Sequence, residues 1–301
     1  TVSIWGAEYV KGRAKYKRLW RQVYPHSIGL FYSAVTARIG LHPMDEEYIT
    51  MGMAAYGDPS YHWDMQAILL RDLEDIEFGV NLHAGVDSAF MNNLRDVDIA
   101  ASAQRLLERM IDQIMRKARD FEWSTNLVYQ GGVALNCLAN RNLGEYFDSI
   151  WIMPCPGDAG SSLGAAALAL GTRINWDNAF LGHDISGGYP VNAALDNLIT
   201  HGIVGVASGR AEFGPRALGN RSLLADPRRP GIKDRVNEIK RRQKFRPFAP
   251  VILAELVDQH FVRRPGWHTN EYMQSVMACR EPDIYPSICC LLYTSPSPRD
   301  Q

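Results

Sequence analysis

The chain has 301 residues, 46% of them apolar and 22% charged, with a formal net charge of −1. This length favours two domains over a single core, and the composition is typical of a globular protein. The apolar runs are too short to cross a bilayer and the first residues do not resemble a signal peptide, so we expect neither feature. Five cysteines without CxxC spacing predict reduced thiols. Together these features predict a cytoplasmic protein.

The first part of the chain predicts an α/β layer structure. Residues 97–119 place apolar side chains at three- and four-residue spacing, with acids early and basic residues late, which predicts an amphipathic helix. A strand over 126–132 that ends in a glycine turn precedes a predicted helix over 134–147. The plan then repeats, with a short strand and a Pro/Gly loop over 149–160 and a helix of small residues over 161–172. Ligands of α/β sheets usually lie where such strands end and helices begin.

Composition changes predict where the domains divide. The loop-rich stretch 175–192 predicts a boundary near residue 182, with one domain over 1–182 and a second over 183–288. Residues 289–301 continue no periodic pattern and end in a Ser/Pro run. We predict that they are a non-native tail and exclude them from the fold.

Positive charge is concentrated between residues 209 and 246. This segment holds twelve Lys or Arg against four Asp or Glu, a balance of +8. Its two arginine motifs, GRAEFGPRALGNRSLLADPR and IKRRQKFRPFAP, interleave the arginines with apolar residues and glycine, which favours an anion-binding loop over a solvated charged face. Arginine offers phosphate a planar fork of donors, and glycine-rich loops turn backbone N–H groups inward. The segment therefore predicts binding of several phosphate groups, with arginines paired to carboxylates as the structural alternative.

Two further loops precede predicted helices and are candidate ligand contacts. Gly131 and Gly132 would let a ligand approach the backbone at a helix N-terminus, although a simple tight turn uses the same residues. Asp158 lies at the start of the next helix. Its carboxylate there can bind a metal, orient a hydroxyl or cap the helix, and capping is the commonest of these roles.

Several motifs in this order resemble the carbamoyltransferase family of NodU and TobZ. They are PHSIGLFYSAVT, EYITMGMAAYG, YQGGVALNC, PGDAGSSLGAAA and the two arginine motifs. The resemblance implies an α/β fold in which an incomplete domain of the actin and sugar-kinase (ASKHA) superfamily precedes an incomplete YrdC-like domain. It implies that the YrdC-like domain makes a carbamoyl-adenylate from carbamoyl phosphate and ATP. The first domain, holding a metal ion, would pass the carbamoyl group to a hydroxyl of a small molecule.

The resemblance also assigns roles to individual residues. Lys240 and Arg216 are the predicted catalytic residues. The predicted phosphate-binding residues are Arg210, Arg216, Arg221, Lys240, Arg242 and Arg246. Gly131, Gly132 and Asn136 match the family's nucleotide-side loop, and Asp158 matches its metal-ligating aspartate, which favours the ligand role over the cap. The implied cofactors are ATP, Mg²⁺ and iron or a similar divalent metal.

The chain departs from the family pattern in two respects. The chain has no H-x-x-x-H pair and lacks the family's later motifs, so we expect a fragment without both ends that is inactive alone. A single carboxylate does not hold a transition metal tightly.

The alternatives are a tRNA threonylcarbamoyl-type modification enzyme and a non-catalytic module that binds nucleic acid or another polyanion. An acidic first domain and basic charge concentrated in one segment argue against nucleic acid as a partner.

Overall fold

The computed structural model describes residues 1–289. The predicted tail lies outside the described residues except for its first residue. In chain order the α-helices are α1 (Ile28–Arg38), α2 (Glu47–Met53), α3 (His62–Leu69), α4 (Asp96–Asp120), α5 (Cys137–Asn140), α6 (Ser161–Leu170), α7 (Val191–His201), α8 (Ile232–Ile239) and α9 (Val257–His260).

The strands lie between these helices and form small sheets. They are β1 (Val2–Val10), β2 (Arg13–Gln22), β3 (Leu70–Asp72), β4 (Glu77–Phe78), β5 (Asn126–Val128), β6 (Ser149–Trp151), β7 (Asp184–Ile185), β8 (Ile203–Ala207), β9 (Gly209–Arg210), β10 (Arg221–Ala225), β11 (Phe261–Val262) and β12 (Ala278–Cys279). Within residues 1–289 each sheet has two strands: β5 and β6 pair in parallel, whereas β1–β2, β3–β4, β7–β9, β8–β10 and β11–β12 are antiparallel. The architecture is therefore mixed α/β.

The core of the first part is built around α4, whose prediction is confirmed within one residue at each end. One face of this helix is fully buried at Ile99, Ala103, Leu106 and Met110. It packs against α1, α2 and α3. Burial of each large side chain contributes about 1.5–3 kcal/mol, so this face of α4 makes a large contribution to the apolar stabilisation of the region.

The predicted strand–turn–helix units are present but shorter than expected. The first strand ends at Val128, and the predicted helix over 134–147 is divided into α5 and two 3₁₀ turns, 132–135 and 143–145. The division occurs at Asn136, which leaves the helical region of backbone conformation and caps α5 by accepting a hydrogen bond from the backbone N–H of Ala139 (3.0 Å). Asparagine favours this capping role over a position inside a helix.

The segment 264–275, which comes late in the chain, packs into the core of the first part. Trp267 is 4% exposed and belongs to the same apolar cluster as α4. The backbone N–H of Ile150 donates to Gly266 (3.2 Å), and a Cβ at Gly144 would overlap the carbonyl of Pro265. Residues on the two sides of the predicted boundary near residue 182 therefore share core contacts.

The opposite side of the first part is exposed and partly apolar. Helix α6 begins at Ser161 as predicted, yet none of its residues is buried, and Leu168 and Leu170 are largely exposed. The β1–β2 hairpin lies beside the C-terminal end of α6, and Tyr9 and Tyr16 line an open groove of about 610 Å³ between them. Among residues 1–289, we find no helix with both the length and the apolar character to cross a bilayer.

Candidate functional site

The loop between β9 and β10 binds a carboxylate of its own chain. The side chain of Glu212 accepts hydrogen bonds from the backbone N–H groups of Leu218 (2.9 Å), Asn220 (2.8 Å) and Arg221 (3.2 Å). Partial burial acts to raise the pKa of Glu212, but these donors outweigh it and hold the pKa below its usual value. The inward-turned N–H groups predicted from the glycine-rich sequence exist, and Glu212 occupies them.

The arginines of this loop donate mainly to backbone carbonyl groups. Arg210 reaches the carbonyl oxygens of Gly182 and Leu181, each at 3.2 Å. The two terminal nitrogens of Arg221 donate hydrogen bonds to four carbonyl oxygens at 2.8–3.1 Å, those of Ser208, Gly209, Asn220 and His183. Since a guanidinium has five N–H donors, Arg221 keeps one for any ligand. These two predicted phosphate contacts therefore also hold the loop together.

Arg216 lies against the glycine loop of the first part. Its Nη2 donates to the carbonyl oxygen of Leu135 (3.1 Å), while its Nε is buried without a hydrogen-bond partner in the part of the chain that the structure describes. Burial raises the pKa of the Cys137 thiol, and the charge of Arg216 opposes that shift. The structure thus places Arg216 beside the predicted nucleotide loop.

The glycine loop itself leaves room for a ligand. A Cβ added at Gly131 or Gly132 would meet no atom within 4 Å, so the backbone there is open on that side. The backbone N–H of Gly131 is bonded to the carbonyl of Pro156 (2.8 Å), which fixes this loop against the next one. Gly131 has φ of +109°, a conformation that favours glycine.

Asn136, the third predicted nucleotide contact, has its side chain in the protein interior. Its amide pairs with the amide of Gln104, donating at 2.8 Å and accepting at 3.1 Å, and it also caps α5. Gln104 in turn accepts a hydrogen bond from the Tyr32 hydroxyl (2.9 Å). This network orients the glycine loop, so any part Asn136 plays in nucleotide binding would come through the backbone that it positions.

Asp158 lies at the start of the 3₁₀ turn that leads into α6. No side chain caps that helix, and the structure gives the Asp158 carboxylate no hydrogen-bond or ion-pair partner among residues 1–289. No group of three His, Cys, Asp or Glu side chains able to hold a metal occurs in the described part of the chain. Asp158 alone therefore does not form a site for iron or a similar transition metal within the described residues.

The second arginine motif forms a cluster of positive charge after α8. We call Lys240, Arg242 and Arg246 the cation cluster. The chain turns at Arg241, which has φ of +49°, so that the backbone N–H of Arg242 bonds back to the carbonyl of Asn237 (3.0 Å). This left-handed residue just after a helix ends it and reverses the chain.

The cation cluster carries positive charge that no carboxylate pairs with among residues 1–289. Partial burial lowers the pKa of Lys240, and the charges of Arg242 and Arg246 lower it further. Burial and Arg246 likewise lower the pKa of Arg242, to about 10. None of the three forms an ion pair in the described residues, whereas Arg228 is paired to Asp226 (2.8 Å). An anion bound here would reduce the repulsion and offset the cost of desolvating the cations.

Asn237 holds the cation cluster in place and was not predicted from the sequence. It is fully buried at the end of α8 and its amide nitrogen donates to the carbonyls of Lys244 and Arg246, each at 3.0 Å. Its amide oxygen accepts from Nε of Arg242 (2.6 Å), which leaves the terminal nitrogens of that guanidinium free. The sequence gives no signal of this role, because the burial of Asn237 and its partners depend on the fold.

The structure describes no direct contact between Arg216 of the first arginine motif and the cation cluster of the second. The cations that lower the pKa values of Lys240 and Arg242 belong to the cation cluster, whereas the charge of Arg216 acts on Cys137. Both motifs nevertheless contact the first part of the chain. Gly214 lies against the backbone of Pro154, and Tyr56 donates its hydroxyl hydrogen to the carbonyl of Phe245 (3.2 Å).

A second basic surface lies on the β1–β2 hairpin. Between residues 1 and 22 the sequence holds six Lys or Arg against one Glu, interleaved with exposed Trp5, Tyr9 and Tyr16. The charge total of residues 1–182, which is negative, concealed this local excess. Basic charge is therefore not confined to the arginine motifs.

Comparison with known families accounts for most of the chain. Residues 3–167 match the family described as Carbamoyltransferase N-terminus, and residues 195–290 match Carbamoyltransferase C-terminus. The chain therefore belongs to the carbamoyltransferase family, and the NodU/TobZ-like resemblance of its motifs is confirmed.

Individual relatives agree with this assignment. Nodulation protein NolO of Bradyrhizobium diazoefficiens is 34% identical over 296 residues, which cover 85% of this chain and 54% of NolO. Nodulation protein NolNO of Sinorhizobium fredii is 32% identical over 298 residues, covering 85% and 43%. The 3'-hydroxymethylcephem-O-carbamoyltransferase of Streptomyces clavuligerus is 34% identical over 236 residues, covering 68% and 44%. The chain spans about half the length of the curated relatives it matches.

Proposed function

We propose that the protein to which this chain belongs transfers a carbamoyl group to a hydroxyl of a small molecule, using carbamoyl phosphate and ATP. Membership of the carbamoyltransferase family supports the transfer, and one relative is named for O-carbamoyl transfer. The observation that carries the ATP-dependent part is the cation cluster, three mutually repelling or desolvated cations without a carboxylate partner in residues 1–289. Such a site is stabilised by phosphate groups.

The proposed reaction has two steps in which charge develops at phosphoryl groups. First, water hydrolyses carbamoyl phosphate to carbamate and inorganic phosphate. An oxygen of the carbamate then bonds to the α-phosphorus of ATP, and pyrophosphate leaves. Second, the acceptor hydroxyl oxygen bonds to the carbamoyl carbon, its proton is lost, and AMP leaves. Lys240 and the neighbouring guanidinium groups would neutralise the transferring phosphoryl group and the departing pyrophosphate. Each such contact contributes about 2–4 kcal/mol to a transition state.

The other predicted residues support this scheme in different ways. We propose that residues 1–182 form an ASKHA-type domain in which the open loop at Gly131 and Gly132 receives a nucleotide. We propose that residues 183–288 form a YrdC-like domain. The unpartnered Nε of Arg216 beside the glycine loop supports a ligand contact there. Asp158 carries no step, because the residues around it do not form a metal site.

Binding of a nucleic acid is a second candidate, favoured by the basic hairpin. Exposed aromatic rings beside Lys and Arg side chains can stack bases and contact phosphates. Affinity of this kind falls steeply with salt and does not depend on ATP. The two candidates therefore differ in their ligands, in their salt dependence and in the part of the chain that binds.

Calorimetric titration of ATP, and separately of carbamoyl phosphate, tests the proposed function. We expect ATP to bind the chain, and Arg246→Ala to weaken that binding roughly 10-fold or more because one charged hydrogen bond is lost. The measurement is the dissociation constant of each ligand at fixed ionic strength. Single-stranded oligonucleotide serves as the competing ligand.

Raising the pH provides an internal control on the same titration. The pKa of Arg242 is lowered to about 10 and that of Lys240 is below the ordinary lysine value, so positive charge is lost from the cluster as the pH rises toward 10. ATP affinity should fall over that range. ATP affinity that is indifferent to both Arg246→Ala and pH, with tight oligonucleotide binding, would reject the proposal in favour of the second candidate.

A further inference from the structure

The cation cluster rests on a helix of the N-terminal family region. Phe245, within the second arginine motif, packs edge-on against Tyr56, with 5.9 Å between ring centroids. A Cβ added at Gly52 would lie 3.3 Å from the ring of Phe245, so this glycine allows the loop to approach α2 closely. The loop that carries the cations is thus held against a helix about 190 residues earlier in the chain.

Tyr48 lies on α2 one turn before Gly52, where positions four apart share a helix face. The guanidinium carbon of Arg246 is 4.3 Å from the centroid of the Tyr48 ring. Tyr48 is also close enough to Arg242 that its side chain, when ionised, opposes the fall in the pKa of that guanidinium. One aromatic side chain therefore stacks on Arg246 and lies near Arg242.

The arrangement leaves the donor edges of the guanidinium groups available. A ring that attracts a guanidinium through its face restricts the side chain without using its N–H groups. Arg242 is held in the same manner, 4.5 Å from the Phe248 ring, and by Nε on Asn237. Side chains fixed before binding lose less rotamer entropy when the anion arrives.

We propose that Tyr48 is a positioning residue for phosphate binding, acting through Arg246. The phosphate site is then completed by both family regions, since Tyr48 belongs to the N-terminal match and the cation cluster to the C-terminal match. This inference rests on the proposed function, in which the cluster binds phosphate groups. It adds a specific residue whose replacement changes affinity without changing the charge of the protein.

The test measures pyrophosphate binding to the full chain by calorimetry. Tyr48→Leu should weaken binding about 3- to 30-fold, the range expected for loss of one cation–π contact. Tyr48→Phe should bind like the parent, because it keeps the ring. Trp63→Leu is the matched control, since Trp63 holds Arg109 in a similar contact at 3.9 Å away from the cluster, and it should leave pyrophosphate binding unchanged.

A double-mutant cycle separates positioning from a general structural role. If Tyr48 acts through Arg246, Tyr48→Leu should have no further effect in an Arg246→Ala background. An equal loss in both backgrounds, or a loss in Tyr48→Phe as large as in Tyr48→Leu, would overturn the inference. If Arg246→Ala and Lys240→Met bind pyrophosphate like the parent, the proposed phosphate site itself is wrong. If those two lose binding and Tyr48→Leu does not, only the role of Tyr48 is wrong.

Discussion

Lys240→Met should weaken pyrophosphate binding roughly 10- to 100-fold, the equivalent of about 1.5–3 kcal/mol for one hydrogen bond to a charged group. The same substitution should raise the melting temperature of the unliganded chain. Methionine keeps an unbranched apolar stem of similar length and removes the charge. Calorimetry with pyrophosphate and thermal melts without ligand measure the two effects on one protein.

The sign of the stability effect follows from the lowered pKa of Lys240. Because the folded state disfavours the charged form, the unfolded chain binds this proton more tightly. Charged Lys240 destabilises the folded state fully at pH values below its folded-state pKa. This destabilisation is relieved as the pH rises through that pKa toward the ordinary lysine value. At neutral pH the charged lysine therefore costs stability, and replacing it removes that cost.

Arg241→Met is the matched control for Lys240→Met. Arg241 is the adjacent basic residue, and its charge is not among those that shift the pKa of Lys240 or Arg242. We expect it to leave pyrophosphate affinity within about twofold. Equal losses in the two variants would show that net charge, and not the geometry of the cluster, determines binding.

Trp267→Ala should lower the free energy of unfolding by about 3–5 kcal/mol, which is the usual cost of removing a buried large aromatic side chain. Trp267 is 4% exposed within the core formed around α4. The loss should appear in the main unfolding transition of the first part of the chain, because the 264–275 segment packs there. Chemical denaturation followed by far-UV circular dichroism measures it.

Trp151→Ala is the comparison for this second prediction. The Trp151 side chain is 42% exposed at the end of β6, so its replacement should cost much less. A loss below about 1 kcal/mol for Trp267→Ala, or a loss confined to a separate minor transition, would contradict the observed packing of the 264–275 segment.

Local patterns were sufficient to predict two helices, α4 and α6. The spacing of apolar residues and the charge gradient of α4 placed both its ends within one residue, and the small-residue helix α6 began where expected. The helix predicted over 134–147 was wrong in its length, because the capping bond of Asn136 and the approach of Pro265 to Gly144 depend on the folded chain. Sequence periodicity contains no information on the second of these contacts.

The sequence predicted which residue types form the candidate site better than it predicted which groups those residues contact. The arginine motifs indicated an excess of positive charge, but could not show that Glu212 takes the backbone donors of the first motif while the second lacks a carboxylate partner in the described residues. The roles of Tyr48 and Asn237 depend on contacts that only the fold creates. A tyrosine about 200 residues away from an arginine gives no signal of stacking against it.

In the proposed function, phosphate groups bind at Lys240, Arg242 and Arg246. A crystal of the chain soaked with tungstate, a heavy analogue of phosphate, tests this binding by locating the anion directly from its anomalous scattering. We predict a tungstate site within hydrogen-bond distance of the Lys240 Nζ and of at least one of the two guanidinium groups. An ordered tungstate bound elsewhere, with this cluster free of anion, would contradict phosphate binding at the cation cluster.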